Sequence, residues 1–290
     1  MNKKPLVSVV MITYGHEKYI QQAIESVLEQ QCNFEIELII SNDCSPDNTN
    51  KVVKGIIKNH PKSHFIKYHN HTKNLGLMPN FIWSLQQAKS KYIAICEGDD
   101  YWNDSLKLQK QVDYLEKNAD CSLCFHPSIH LNDANHDHYF IHKPVTIPID
   151  HKFVMKDAIL GGGSFITTNS MFFHQQHITI LPDWFLQAPI GDLPLMLLLA
   201  TKGKIGHIDE VMSTYRLMSN NSWSTTLQDT KKKKKHFYAI LKMWSDFDKW
   251  TNYKFHGIIL RKKALNYYSY TKQILYIKKQ LVLKRIKSKR

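Results

Sequence analysis

At 290 residues, 43% of them hydrophobic, the chain can hold one large domain, or one domain and an appendage, with a full core. Its net charge of +14 is uneven: residues 231–290 carry 19 Lys/Arg against 2 Asp/Glu, and residues 1–230 carry 20 against 23. The main body is therefore near neutral, which argues against a nucleic-acid substrate, and the basicity belongs to the tail.

Asn2-Lys3-Lys4-Pro5 lead straight into Leu6–Thr13, a β-rich apolar run. That run is too short and too soon interrupted for a signal peptide. No stretch of the chain reaches about 18 uninterrupted apolar residues, so no membrane-spanning helix is expected. After Tyr14-Gly15-His16-Glu17, apolar residues at Ile20, Ala23, Ile24, Val27 and Leu28 recur at helical spacing. Phe34–Ser41 is a second strand, running into the turn-forming cluster from Asn42 through Asp43 and Asp47 to Thr49. Val52, Val53, Ile56 and Ile57 mark a second helix, and Phe65–Tyr68 a short strand followed by Asn74-Leu75-Gly76. Phe81, Leu85 and Ala88 give a third helix, and Tyr92–Cys96 a fourth strand. This alternation is a βαβ pattern around a parallel sheet.

The fourth strand stops abruptly at Glu97-Gly98-Asp99-Asp100. Strand ends of this kind are where open α/β sheets place ligands. Three carboxylates in four residues repel one another unless something positive joins them. A hard divalent cation, shared with substrate phosphates, is the simplest candidate. A solvated acidic turn, with Asp104 capping the next helix, is the plain alternative. The half contains neither G-x-G-x-x-G nor a P-loop signature, which disfavours a dinucleotide dehydrogenase or P-loop NTPase. Its strand ends instead carry Thr13, Glu17, Asp43, Asp47, Asn74, Glu97 and Asp99, a set suited to a nucleotide held by side chains.

Five cysteines at irregular spacing do not make a disulfide framework and suit a reducing compartment. Cys121-x-x-Cys124, followed by His126 and His130, raises zinc, but the pair lies in a strand-like run and no second pair follows.

Four segments in order, VSVVMITYGHEKYIQQAIESVLEQQ, LIISNDCSPDNT, NLGLMPNF and YIAICEGDDYW, give the chain a strong resemblance to the family 2 glycosyltransferases. Together they span about the first 105 residues. The resemblance implies an α/β GT-A (Rossmann-like) fold with a mixed, mostly parallel sheet flanked by helices. It also implies inverting transfer from a nucleotide sugar. The family's metal-binding motif falls on Glu97, Asp99 and Asp100, with Glu97 where aspartate is more usual. The nucleotide-side contacts implied are Thr13, Tyr14, Glu17, Asp43, Asn74, Glu97, Gly98, Asp99 and Arg216. An Asp43 carboxylate can accept the N3–H of uracil, which favours UDP. The implied cation is Mn²⁺ or Mg²⁺.

In the second half, Gly161-Gly162-Gly163-Ser164 followed by FITTNSMFF resembles the family's acceptor-side strand, with a flexible loop as the other reading of the glycine triplet. Asp192, before the apolar run Leu195–Ala200, matches the family's catalytic base; a simple N-cap is the other reading. Ser213-Thr214-Tyr215-Arg216 resembles the closing strand, with Arg216 open to a phosphate or a core carboxylate. Relatives place a histidine two residues later, where this chain has Met218; Asn220–Ser224 is the candidate lid.

The expected division is a catalytic domain at 1–230 and a basic amphipathic helical tail at 231–290. In the tail, Phe237, Ile240, Leu241, Trp244 and Phe247 recur at helical spacing, as do later apolar residues among lysines. Such faces fit an anionic membrane surface, with packing on the main body as the alternative. The expected partners are a nucleotide sugar, a saccharide or lipid-linked acceptor and the membrane. The expected place is the cytoplasm, at the inner face of the plasma membrane. A nucleotidyltransferase and a non-catalytic sugar-binding scaffold are the rival readings; residues 1–110 contain no arginine to bind a triphosphate.

Overall fold

The computed structural model describes residues 4–133, 138–217 and 229–287, and side chains as far as residue 275. The first half is a run of strand and helix: β1 Val7–Thr13, α1 Ile20–Leu28, β2 Ile36–Asn42, α2 Thr49–Asn59, β3 Ile66–Asn70, α3 Leu77–Gln87 and β4 Tyr92–Ile95. β1 and β2 are buried along their whole length, as parallel strands covered on both faces must be. β1 pairs in parallel with β2 and β4, and β2 with β3.

The second half adds β5 Tyr101–Trp102, α4 Lys107–Lys117, β6 Cys121–Phe125, β7 Ser128–Asn132, β8 Tyr139–His142, β9 Lys152–Phe153, α5 Met155–Gly161, β10 Phe172–His174, α6 Asp183–Leu186, α7 Asp192–Ala200, β11 Lys204–His207 and β12 Ser213–Leu217. The main sheet runs β3-β2-β1-β4-β10-β6-β11-β9. It is mostly parallel, with β10 antiparallel to both neighbours and β9 antiparallel at the edge. A smaller sheet, β5-β12-β7-β8, carries the closing strand back beside the residues after β4.

Successive β1 residues feed opposite cores. Val10 and Ile12 join one apolar cluster, and Val7, Val9 and Met11 join the other. This is the period of two that places a strand between two helical layers. α7 lies inside the first cluster and is buried from Leu193 through Ala200, so it is apolar all round. Pro194 fits because it falls in the first turn, where its missing N–H has no intrahelical partner to lose.

The helix expected from Asp104 begins later, at Lys107, and Asp104 instead accepts the Leu106 amide at 2.8 Å. Cys121 and Cys124 are buried free thiols in β6.

The tail forms two helices, α8 Thr230–Trp250 and α9 His256–Lys287. The apolar face of α8 faces the main body: Ile240, Met243, Trp244 and Phe247 belong to the same cluster as α7, as does Ile259 of α9. Trp244 and Phe247 are wholly buried. The amphipathic stripe read in the sequence is therefore largely a packing stripe. α9 exposes Leu260, Leu265, Tyr267, Tyr268 and Leu275. Among the described residues no helix is long and apolar enough to cross a membrane.

Candidate active site

The chain continues to pair with β1 beyond the end of β4. Cys96 donates its amide to Val10 O and Gly98 to Ile12 O, both at 3.0 Å. This carries Glu97–Asp100 alongside Thr13, where the loop after β1 begins. Gly98 is required by the approach: a Cβ there would lie 2.7 Å from Thr13 Oγ1 and 3.0 Å from His16 Nδ1. Thr13 Oγ1 and His16 Nδ1 are buried with no hydrogen-bond partner, as is Asp100 Oδ2. Buried polar atoms of this kind call for a ligand, ion or water.

The nucleotide-side residues divide by task. Asp43 receives the amides of Leu75 at 2.6 Å and Gly76 at 2.9 Å, which ties the loop before α3 to the end of β2. Gly76 holds φ +88°, a conformation open to glycine. Glu17 accepts both the main-chain and side-chain amides of Asn48, while its own amide goes to Asp47. It therefore joins the loops after β1 and β2. Tyr14 and Asn74 are exposed at the rim.

Around the acid motif, Asp99 Oδ2 lies 3.8 Å from His16 Nε2, with the carboxylate 13% exposed. Asp100 is fully buried and accepts the Arg216 amide at 2.9 Å. Burial and the charges of Asp99 and Glu97 hold the Asp100 carboxyl well above the usual carboxylate range. Glu97 is pushed up to about 8, first by burial, then by Asp99 and Asp192. Tyr215 is raised by burial and by the charges of Asp100, Glu97, Asp99 and Asp192. All four carboxylates therefore act on one basin.

Arg216 is a clamp on that basin. Its guanidinium donates to the Asp99 carbonyl at 2.6 Å and to Gln22 Oε1, and lies 4.0 Å from Asp133. It sits between the rings of Tyr19 and Tyr101, at 5.1 and 4.7 Å from their centroids. Asp133, half-buried, is a carboxylate partner of the kind the sequence left open for Arg216 beside a phosphate.

Asp192 opens α7, and its Oδ1 receives the Leu193 amide at 2.7 Å. Burial raises its carboxyl above the ordinary range. A tight pocket around it is lined by Gly162, Gly163, Ile166, Met171, Leu193 and Met196. Met218 and Asn220–Ser224 lie outside the described residues.

Among the described residues no three His, Cys, Asp or Glu side chains form a group that could hold a metal by themselves. The donor set does fit a cation held by one or two carboxylates and completed by substrate phosphates. The mutual repulsion of Glu97, Asp99 and Asp100, and the orphaned Asp100 Oδ2, are what such a cation would relieve.

His16 was legible only as part of a turn, although it is the histidine nearest the acid motif in the loop after β1. Gln22, Tyr19, Tyr101 and Asp133 left no local signal, because their convergence on Arg216 depends on β12 reaching the small sheet.

The mostly parallel sheet thus ends its fourth strand in an acid motif, and the charge of Asp192, at the start of α7, acts on Glu97 there. The chain belongs to glycosyl transferase family 2, whose model matches residues 8–178. An uncharacterized protein of Mycobacterium tuberculosis is 32% identical over 234 residues, covering 78% of this chain and 63% of its own. This chain therefore spans less than two thirds of that relative. The Bacillus subtilis protein TuaG, which carries the name of a teichuronic acid biosynthesis glycosyltransferase, is 29% identical over 234 residues, covering 80% of this chain and 86% of TuaG. Among solved structures, S. aureus TarS 1–349 in complex with UDP-GlcNAc matches with a TM-score of 0.59 at 14% identity, over 82% of this chain and 65% of that one. The mannosyltransferase PcManGT of Pyrobaculum calidifontis, in complex with GDP-Man and Mn²⁺, matches with a TM-score of 0.58 at 13% identity, over 97% and 81%. At these identities the two structures support the fold.

Proposed function

We propose that the chain is an inverting glycosyltransferase that moves a sugar from a nucleoside diphosphate sugar, favouring UDP, to a hydroxyl of a saccharide or lipid-linked acceptor. The destination is a cell-surface polysaccharide, and the place of work is the inner face of the plasma membrane. The observation that carries this reading is the close approach of the acid motif to β1: Gly98 donates to Ile12 O at 3.0 Å and brings Glu97, Asp99 and Asp100 beside Thr13 and His16, where buried polar atoms lack partners.

Asp99, helped by Glu97 or Asp100, is the side chain to hold Mn²⁺ or Mg²⁺. When bound, the ion supplies Lewis-acid neutralisation of the departing diphosphate. Asp43 retains lone pairs beyond those taken by Leu75 and Gly76, so it can still accept a uracil N–H. Thr13 and Tyr14 stand at the mouth of the same loop; Glu17 and Arg216 hold the surrounding walls.

Asp192 takes the proton of the acceptor hydroxyl as that oxygen attacks the anomeric carbon from the face opposite the diphosphate. The new glycosidic bond forms as the bond to the diphosphate oxygen breaks, so the anomeric configuration inverts. Burial raises the affinity of Asp192 for a proton, the direction that favours a general base.

The acid-motif and base roles are tested by a panel of UDP- and GDP-sugars, read by mass, with Mn²⁺ and with chelator. Metal-dependent transfer or UDP release by one donor supports the reading. A panel with no turnover and no nucleotide binding would leave the fold without this activity. For the membrane, α9 offers exposed Tyr267, Tyr268 and Leu275 beside Arg261 and Lys272, whose charges an anionic lipid surface would attract.

A further inference from the structure

Lys262 lies in the basic part of α9, yet its ammonium is turned inward. Nζ donates to the carbonyl oxygens of Leu160 at 2.8 Å and Gly161 at 3.2 Å. These are the last carbonyls of α5, which have no partner within their own helix. The next residue, Gly162, adopts φ +62°, and a Cβ there would lie 2.6 Å from Lys262 Cε and Nζ. The lysine occupies the space that a side chain would take. Gly162 and Gly163 then form one wall of the pocket around Asp192. Ile259, three residues before Lys262 on α9, is wholly buried, which fixes the helix at this point.

We propose that Lys262 is a positioning residue for Asp192. It holds the 160–162 turn, and through it Gly162 and Gly163, which line the same narrow crevice as Asp192, so the C-terminal helix completes the acceptor side of the site. This rests on the reading of Asp192 as the base. Burial lowers the proton affinity of Lys262 below that of an ordinary lysine, so the amine sits there against its own preference for water. Such a placement needs the carbonyls to hold it. Lys263, the next residue, shows the contrast: its Nζ goes to Ser245 Oγ of α8 at 2.8 Å, away from the pocket.

The test uses the full chain and nucleotide release from whichever donor of the panel it turns over best. Lys262→Met is expected to lower kcat by up to ~10²-fold, the scale of a misplaced catalytic group, with the donor KM little changed. Lys262→Arg, which keeps the donors, is expected to regain most of that loss. Lys263→Met, an equal charge loss on the same helix, is expected to match the native chain. Should Lys262→Met fail to fold, Lys262→Gln, too short to span both carbonyls, is read the same way. A variant with a lowered Tm but native kcat would show a bracing role alone and overturn the proposal. So would Lys262→Arg as inactive as Lys262→Met. Asp192→Asn, run in parallel, separates the two claims. Near-native turnover there removes the base reading itself, whereas loss there with native Lys262→Met removes only the proposal about Lys262.

Discussion

Arg216 grips Asp99 by its main chain, donating from the guanidinium to the Asp99 carbonyl at 2.6 Å. The bond fixes the backbone of the acid motif, and the arginine charge lowers the Asp100 carboxyl against the larger raising effects of burial, Asp99 and Glu97. The Arg216 main-chain amide holds the neighbouring residue by the side chain, donating to Asp100 Oδ1 at 2.9 Å. The clamp explains how three repelling carboxylates keep one conformation.

Arg216→Lys should therefore weaken the fold and the donor site together. A lysine has no planar fork with which to donate to Asp99 and Gln22 at once while its charge stays near the Tyr19 and Tyr101 rings. The expected loss is about 1–3 kcal/mol in urea unfolding, the range for a lost buried hydrogen bond, with a raised donor KM. Unchanged stability would show that the clamp carries no energy.

Asp99→Asn and Asp192→Asn should each remove most turnover, by ~10²-fold or more, while the melting temperature holds or rises. Each substitution lifts one negative charge from a crowded basin, so relief of repulsion offsets any lost hydrogen bond. Activity assays and thermal melts on the same preparations check both halves.

The pH dependence follows in sign from the raised carboxyls. Asp192 must be unprotonated to accept a proton, so activity should fall as pH drops through its raised pKa, above the 3.8 of an ordinary aspartate. For Glu97, pushed up to about 8, the folded state binds its proton more firmly than the unfolded state does. Its ionisation therefore costs native stability as pH rises from the ordinary carboxylate range to that value. A cation bound with UDP reverses that cost. The gain in Tm from UDP and Mn²⁺ should be larger at about pH 8 than at about pH 5. A gain independent of pH would separate the cation from these carboxylates.

The tail makes a fourth prediction. Trp244→Ala should cost about 3–5 kcal/mol, as for a large aromatic removed from a core. A chain ending at 230 should fail to fold, because Met243, Trp244, Phe247 and Ile259 complete the cluster around α7. Replacing Lys231–Lys235 with glutamine should leave the melt unchanged and reduce flotation with anionic liposomes. Equal flotation would discard membrane binding through that lysine run.

The first half was legible because its strands are long, apolar and separated by helices of clear period. Thr13, Asp43, Glu97, Asp99 and Asp192 could be placed from strand ends and family motifs. The Arg216 clamp was not, since Gln22 and Asp133 lie far from it in sequence. β9, of two residues, is too short to show a period, and of FITTNSMFF, read as a strand, only Phe172 and Phe173 fall in one, β10, after a 3-10 turn at Thr168–Ser170. The face of α8 was ambiguous for a physical reason: an amphipathic helix reads alike whether its apolar side meets lipid or a protein core.

The most direct measurement is a crystal of the full chain soaked with UDP and Mn²⁺, read at the manganese absorption edge. The account predicts an anomalous peak at about 2.1 Å from an Asp99 carboxylate oxygen and from the diphosphate, with Asp192 across the basin. UDP bound with Asp99 turned away and no peak beside it would contradict the account.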